Sequence, residues 1–174
     1  AAQEWVLSNL FERVLPSIVQ IRITQSFPSQ QPGIPFDLIP GGEPFFQSGD
    51  GTGFVWDADG HIITNHHVVA AADKVVVIFP DTTEVEALVL GSDPDSDLAL
   101  LFVDLPSDYL QSVDLGDSDQ LKVGQSAIAI GTPFGREFTM TVGVISALGR
   151  RIDSRRQNYS IPDAIQTDAS VNPG

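Results

Sequence analysis

Apolar side chains recur at helical spacing in residues 4–15, EWVLSNLFERVL, where Trp5, Val6, Leu10, Phe11 and Val14 predict an amphipathic helix. Pro16 cannot continue it, lacking the N–H the helix needs. From there the period changes to two. In SIVQIRI, Ile18, Gln20 and Arg22 alternate with Val19, Ile21 and Ile23, which predicts a strand buried mainly on one face. Further strands follow at turn-punctuated intervals: TGFVW, HIIT, KVVVIF, EVEALVLG, LALLFV, QSAIAIG, FTMTVGVISALG and AIQTDA. DADG, between TGFVW and HIIT, is a hairpin turn signal. About nine strands and one helix predict an all-β sandwich or barrel.

Residues 26–50 break the pattern, with five Pro, four Gly and scattered Phe27, Phe36, Phe45 and Phe46. They read either as a disordered surface loop or as a docking loop that uses its aromatics.

Length and composition then narrow the classes. A chain of 174 residues holds one domain or slightly more, and its 42% hydrophobic content can build a core. Fifteen Gly and twelve Pro agree with a turn-rich β fold. With 23 acidic and 9 basic residues the net charge is −14, which disfavours nucleic acid as a partner. Arg150, Arg151, Arg155 and Arg156 cluster in RRIDSRR and read as a solvated loop, with a local anion or acidic-partner site as the alternative. The absence of cysteine excludes disulfides, Cys-ligated metal and a thiol nucleophile. No apolar run reaches the ~20 residues of a membrane-spanning helix. Asn158 opens an NYS sequon, a match that chance often supplies.

Three histidines, His61, His66 and His67, lie within seven residues and raise the question of a metal. On a strand, the adjacent His66 and His67 would point to opposite faces, which argues against it. His61 and His66 read as surface or half-buried residues. Asp93, Asp95 and Asp97 alternate like the opening of a calcium loop, but Leu98 occupies the sixth position and Asp104 the twelfth, where such a loop needs Gly and Glu. A pairing of His67 with Asp97 makes better chemical sense. Asp97 immediately precedes an apolar strand, and a carboxylate fixed there can hold an imidazole in one tautomer as a general base. On spacing alone that signal is weak.

Four blocks together carry a specific resemblance: GTGFVWDADGHIITNHHVV, DPDSDLALL, AIGTPFG with TVGVISALGR, and IQTDASVNPG. Their order and spacing resemble the HtrA/Deg family of trypsin-fold serine endopeptidases over nearly the whole chain from Leu15. The resemblance implies two antiparallel β-barrels with a short N-terminal helix and an active site in the cleft between barrels. It implies His67 as catalytic His, Asp97 as its partner, and Gly174 as an oxyanion-hole residue. The family's NPGNSGGP block places the nucleophilic Ser two residues beyond Gly174. Ser170 does not match that nucleophile and reads as a polar strand-end residue. GTPFG (131–135) reads as a turn, not a phosphate loop.

The expected organisation is a helical segment over 1–16, a complete first barrel over 17–110, and an incomplete second barrel over 111–174. The chain is expected to be the N-terminal portion of a longer polypeptide and inactive in acyl transfer alone. No PDZ domain lies within it, although the family usually adds one. The resemblance further implies ATP-independent protein quality control on unfolded or damaged proteins, no cofactor, no membrane-spanning segment, and an extracytoplasmic location in a periplasm or organelle lumen. It also implies a homotrimer, assembled through the N-terminal helix and the 26–50 loop; the alternative is that Trp5 and Phe11 pack on the first barrel. Two rival functions stay open: a non-catalytic binding or chaperone module with a protease fold, and a metal hydrolase using His67 with His61 and a carboxylate.

Overall fold

A computed structural model describes residues 2–27, 45–132, 138–153 and 160–172. Helix α1 (Ala2–Val14) carries Glu4 in its first turn and Arg13 in its last, each complementing the helix dipole. It has no fully buried residue, and Trp5 is 68% exposed, so that side chain does not pack on the barrel. Its C-terminal end docks on the chain near residue 114: Arg13 pairs with Asp114 at 2.9 Å, and the Gln111 side-chain amide donates to the Arg13 carbonyl at 2.9 Å.

Six strands follow: β1 (Ile18–Phe27), β2 (Phe45–Val55), β3 (His61–Thr64), β4 (Lys74–Ile78), β5 (Glu84–Asp93) and β6 (Leu98–Phe102). They close into an antiparallel barrel in the order β1-β2-β3-β6-β5-β4, with β4 returning to β1. Closure removes the unpaired edges an open sheet would leave. Val19 and Ile21 are fully buried, beside Val55, Ile62, Val77 and Leu101, but Ile18 and Gln20 on the opposite face are buried too, so the start of β1 is covered on both faces rather than mainly on one as the sequence predicts. Each such apolar side chain contributes roughly 1.5–3 kcal/mol on burial.

Three differences from the sequence reading stand out. First, β1 and β2 run well into the stretch read as loop, pairing from Ile18↔Phe54 to Phe27↔Phe45. The Gly- and Ser-rich FFQSGDGTG hides strand character that the β1 edge supplies through backbone pairing. Residues 28–44, including Phe36, lie outside the described residues, as do Asn158, Arg155 and Arg156. Second, His66–Val69 forms a one-turn helix, α2, just after the predicted strand HIIT, where the sequence predicts no element. Third, the last strand starts four residues early. Pro162 discourages a strand, yet it is tolerated at a sheet edge, where its missing N–H interrupts no ladder.

The second unit is a three-stranded sheet, β7 (Ser126–Gly131), β8 (Thr139–Asp153) and β9 (Ser160–Thr167), in that order. Several of its apolar side chains are thinly covered: Val142, Val144, Leu148, Ile152 and Ile165 are 39–53% exposed. The two units meet at a buried threonine. Thr132 is fully buried; its N–H donates to Thr52 Oγ1 at 2.9 Å, and its hydroxyl donates to the Gly51 carbonyl at 3.2 Å.

Candidate active site

Strand β3 ends at Thr64, and Asn65 leads into α2, so His67 stands on the first turn after a barrel strand. Val68 anchors that turn against β2. A Cβ added to Gly51 would lie 2.5 Å from Val68 Cγ1, so only glycine allows the turn to sit this close.

Asp97 closes the turn between β5 and β6 in the left-handed conformation, φ 57°, which non-glycine residues adopt rarely. That conformation brings both its carboxylate and its carbonyl to the 65–67 segment. The carboxylate accepts from His67 Nδ1 at 2.7 Å and from the His67 backbone N–H at 2.9 Å. The carbonyl accepts from the His66 N–H at 3.1 Å and from Asn65 Nδ2 at 2.9 Å. The structure therefore brings together the two residues singled out in the sequence, thirty positions apart. Their side chains keep 37% and 30% of their surface open, enough for a reacting group to reach the ring. With Nδ1–H donated to the carboxylate, Nε2 carries the lone pair and can take a proton.

The other histidines go elsewhere. His66 Nδ1 lies 3.0 Å from Ser92 Oγ. His61, at the far end of β3, has its Nδ1 2.7 Å from Asp57 Oδ2. Burial pushes the Asp57 carboxyl up, but hydrogen bonds from the His61 side chain, the His61 N–H and the Asp59 N–H together outweigh it and leave the group below the ordinary carboxylate value. Among the described residues no three His, Cys, Asp or Glu side chains are grouped to hold a metal.

A cleft of about 220 Å³ lies between barrel and sheet, lined among others by Thr52, Asn65, Gly131, Thr141, Ser170 and Asn172. The strand leading into it is clamped. Asp168 accepts from the Val144 N–H at 2.7 Å, and Thr141 donates to the Ser170 carbonyl at 2.7 Å. A Cβ on Gly143 would collide with the Ala169 backbone, so β8 can lie against this segment only with glycine there. Ser170 stands past the end of β9, its carbonyl held by Thr141. Gly174 lies outside the described residues.

Sequence reading missed Asn65, Thr141 and Asp168. Asn65 was legible only as a polar residue after the strand HIIT, and the other two only as polar positions in strands.

A family profile described as a trypsin-like peptidase domain matches residues 51–174. The chain is 42% identical over 166 residues to the chloroplastic Protease Do-like 1 of Arabidopsis thaliana, covering 95% of this chain and 36% of that protein. It is 40% identical over 189 residues to a probable periplasmic serine endoprotease, DegP-like, of Ectopseudomonas mendocina, covering 95% and 38%. Among solved structures it matches an HtrA-type protease AlgW with a decapeptide at TM-score 0.76 and 34% identity, covering 96% of this chain and 52% of that one. It matches Deg5 at TM-score 0.73 and 39% identity, covering 100% and 78%. The chain thus spans about a third to a half of the curated relatives it matches first.

Proposed function

Because the chain belongs to the HtrA/Deg family of trypsin-like peptidases, we propose that it carries the general-base half of an ATP-independent serine endopeptidase acting on unfolded or damaged proteins. The observation that carries this reading is the double grip of Asp97 on His67, one carboxylate oxygen on the ring and one on the backbone N–H.

In the proposed reaction His67 Nε2 takes the hydroxyl proton of a serine two residues beyond Gly174 as its oxygen attacks the substrate carbonyl. Gly174 contributes a backbone N–H to the oxyanion that forms. Asp97 stabilises the resulting imidazolium and holds the ring in register. The same Nε2–H then protonates the leaving amine, breaking the C–N bond and leaving an acyl-enzyme for water to hydrolyse by the reverse use of the ring. No cofactor enters these steps.

The reading divides the chain into a helical segment (1–16), a first barrel (17–110) and part of a second (111–174). It places the protein in a periplasm or organelle lumen, as the names of its relatives indicate for them, and no helix among the described residues is long and apolar enough to cross a membrane. It assigns a homotrimer, with exposed Trp5 on α1 available for assembly. Casein hydrolysis by the longest natural polypeptide containing these residues tests the proposal. Activity should disappear in His67→Ala; equal hydrolysis by parent and variant would overturn it.

A further inference from the structure

Asn65 occupies the position before α2 where an asparagine ordinarily turns its side-chain oxygen onto the helix's own N–H groups. Here it makes no such bond. Its amide instead reaches across thirty-two residues and donates to the Asp97 carbonyl at 2.9 Å. The work the asparagine leaves undone is taken over by Asp97, whose carboxylate accepts the His67 N–H and whose carbonyl accepts the His66 N–H.

From this exchange of partners we infer that Asn65 is a positioning residue for the His67–Asp97 pair. Asp97 is held in the left-handed region at φ 57°, a conformation that persists in a non-glycine residue only where its surroundings fix it. Two donors fix the carbonyl, Asn65 Nδ2 and the His66 N–H, and in doing so aim the carboxylate at the imidazole. Loss of the amide removes the Asn65 donor from that carbonyl. Asp97 can then relax toward ordinary backbone angles, carrying its carboxylate off Nδ1. Asn65 also lines the cleft between barrel and sheet.

The inference rests on the endopeptidase reading for its kinetic consequence, but not for its structural one. The experiment compares parent, Asn65→Ala, Asn65→Asp and His67→Ala in the longest natural polypeptide containing these residues. Asn65→Asp keeps the side-chain shape and removes the donor, so it carries the test if the alanine variant folds poorly. Peptide hydrolysis is measured alongside the His67 Nδ1–H resonance in ¹⁵N-histidine-labelled protein. Both Asn65 variants should lose about 10- to 100-fold in kcat with KM within about twofold, and the Nδ1–H resonance should broaden through faster exchange. Unchanged kcat and an unchanged resonance in a folded variant, with His67→Ala inactive, would overturn the inference and leave the reading standing. A rise in KM alone would overturn it too, marking Asn65 as a cleft wall that touches substrate. If His67→Ala stayed active the endopeptidase reading would fall, and the resonance would still decide what Asn65 does.

Discussion

Among the described residues two histidine–aspartate pairs stand, one at each end of strand β3, and by distance they are the same: Nδ1 to carboxylate oxygen is 2.7 Å in both. Their side chains are also about equally exposed, 32% and 34% for His61–Asp57 against 37% and 30% for His67–Asp97. What separates them is how each aspartate is held. Asp57 lies four residues before its histidine in a hairpin turn, and its carboxylate stitches that turn through the Asp59 and His61 N–H groups. Asp97 comes from a distant turn in a strained conformation, with both its carboxylate and its carbonyl committed to the three residues that carry the histidine. The local pair stabilises a loop. The distant pair joins two loops next to Asn65, which lines the cleft. A short contact alone does not identify catalytic chemistry, and the two pairs differ in how their aspartates are held.

The sharpest way to break the comparison is to neutralise one aspartate at a time. Asp97→Asn should lower kcat for peptide hydrolysis by about 10⁴-fold, because the amide favours the wrong imidazole tautomer. Asp57→Asn should leave kcat within about twofold in the same assay. Similar losses from both would erase the distinction.

Gly51→Ala attacks the support behind His67. The new methyl meets Val68 at 2.5 Å and must push α2 outward. Overpacking of this kind costs about 1–3 kcal/mol, which urea unfolding should register together with a drop in kcat. An unchanged kcat would mean that the turn tolerates displacement.

The smallest effect concerns pH. In the fold the burial of the Asp57 carboxyl is outweighed by the hydrogen bonds from His61 and Asp59, which hold it below the ordinary carboxylate value. Its ionised form therefore favours the fold above that value, and the contribution is lost as pH falls through the lower folded-state value. The gap in urea midpoint between parent and Asp57→Asn should be present at pH 7 and close on acidification through the depressed folded-state value. A gap that widened on acidification would contradict the assigned role.

Much of this was legible in the sequence because β alternation and turn residues are local signals. The inward Val19 and Ile21, and the strand that follows Asp97, could be read from neighbours alone. The His67–Asp97 partnership was legible through the TNHHVV and DSDLALL blocks, not through spacing. What escaped depended on tertiary partners. Four residues, His66–Val69, are too few to show a helical period. Phe45–Asp50 became strand because β1 offered an edge to pair with. Asn65 carried no signal of its own in the sequence, and only the fold revealed that its amide is spent on Asp97.

The central claim is that His67, and not His61, activates a nucleophile. The most direct measurement is the rate of covalent labelling by a fluorophosphonate probe in the longest natural polypeptide containing these residues, comparing His67→Ala with His61→Ala. The account predicts that labelling is abolished in His67→Ala and stays within about twofold of the parent in His61→Ala. Equal labelling in the two variants, or loss in His61→Ala alone, would contradict it.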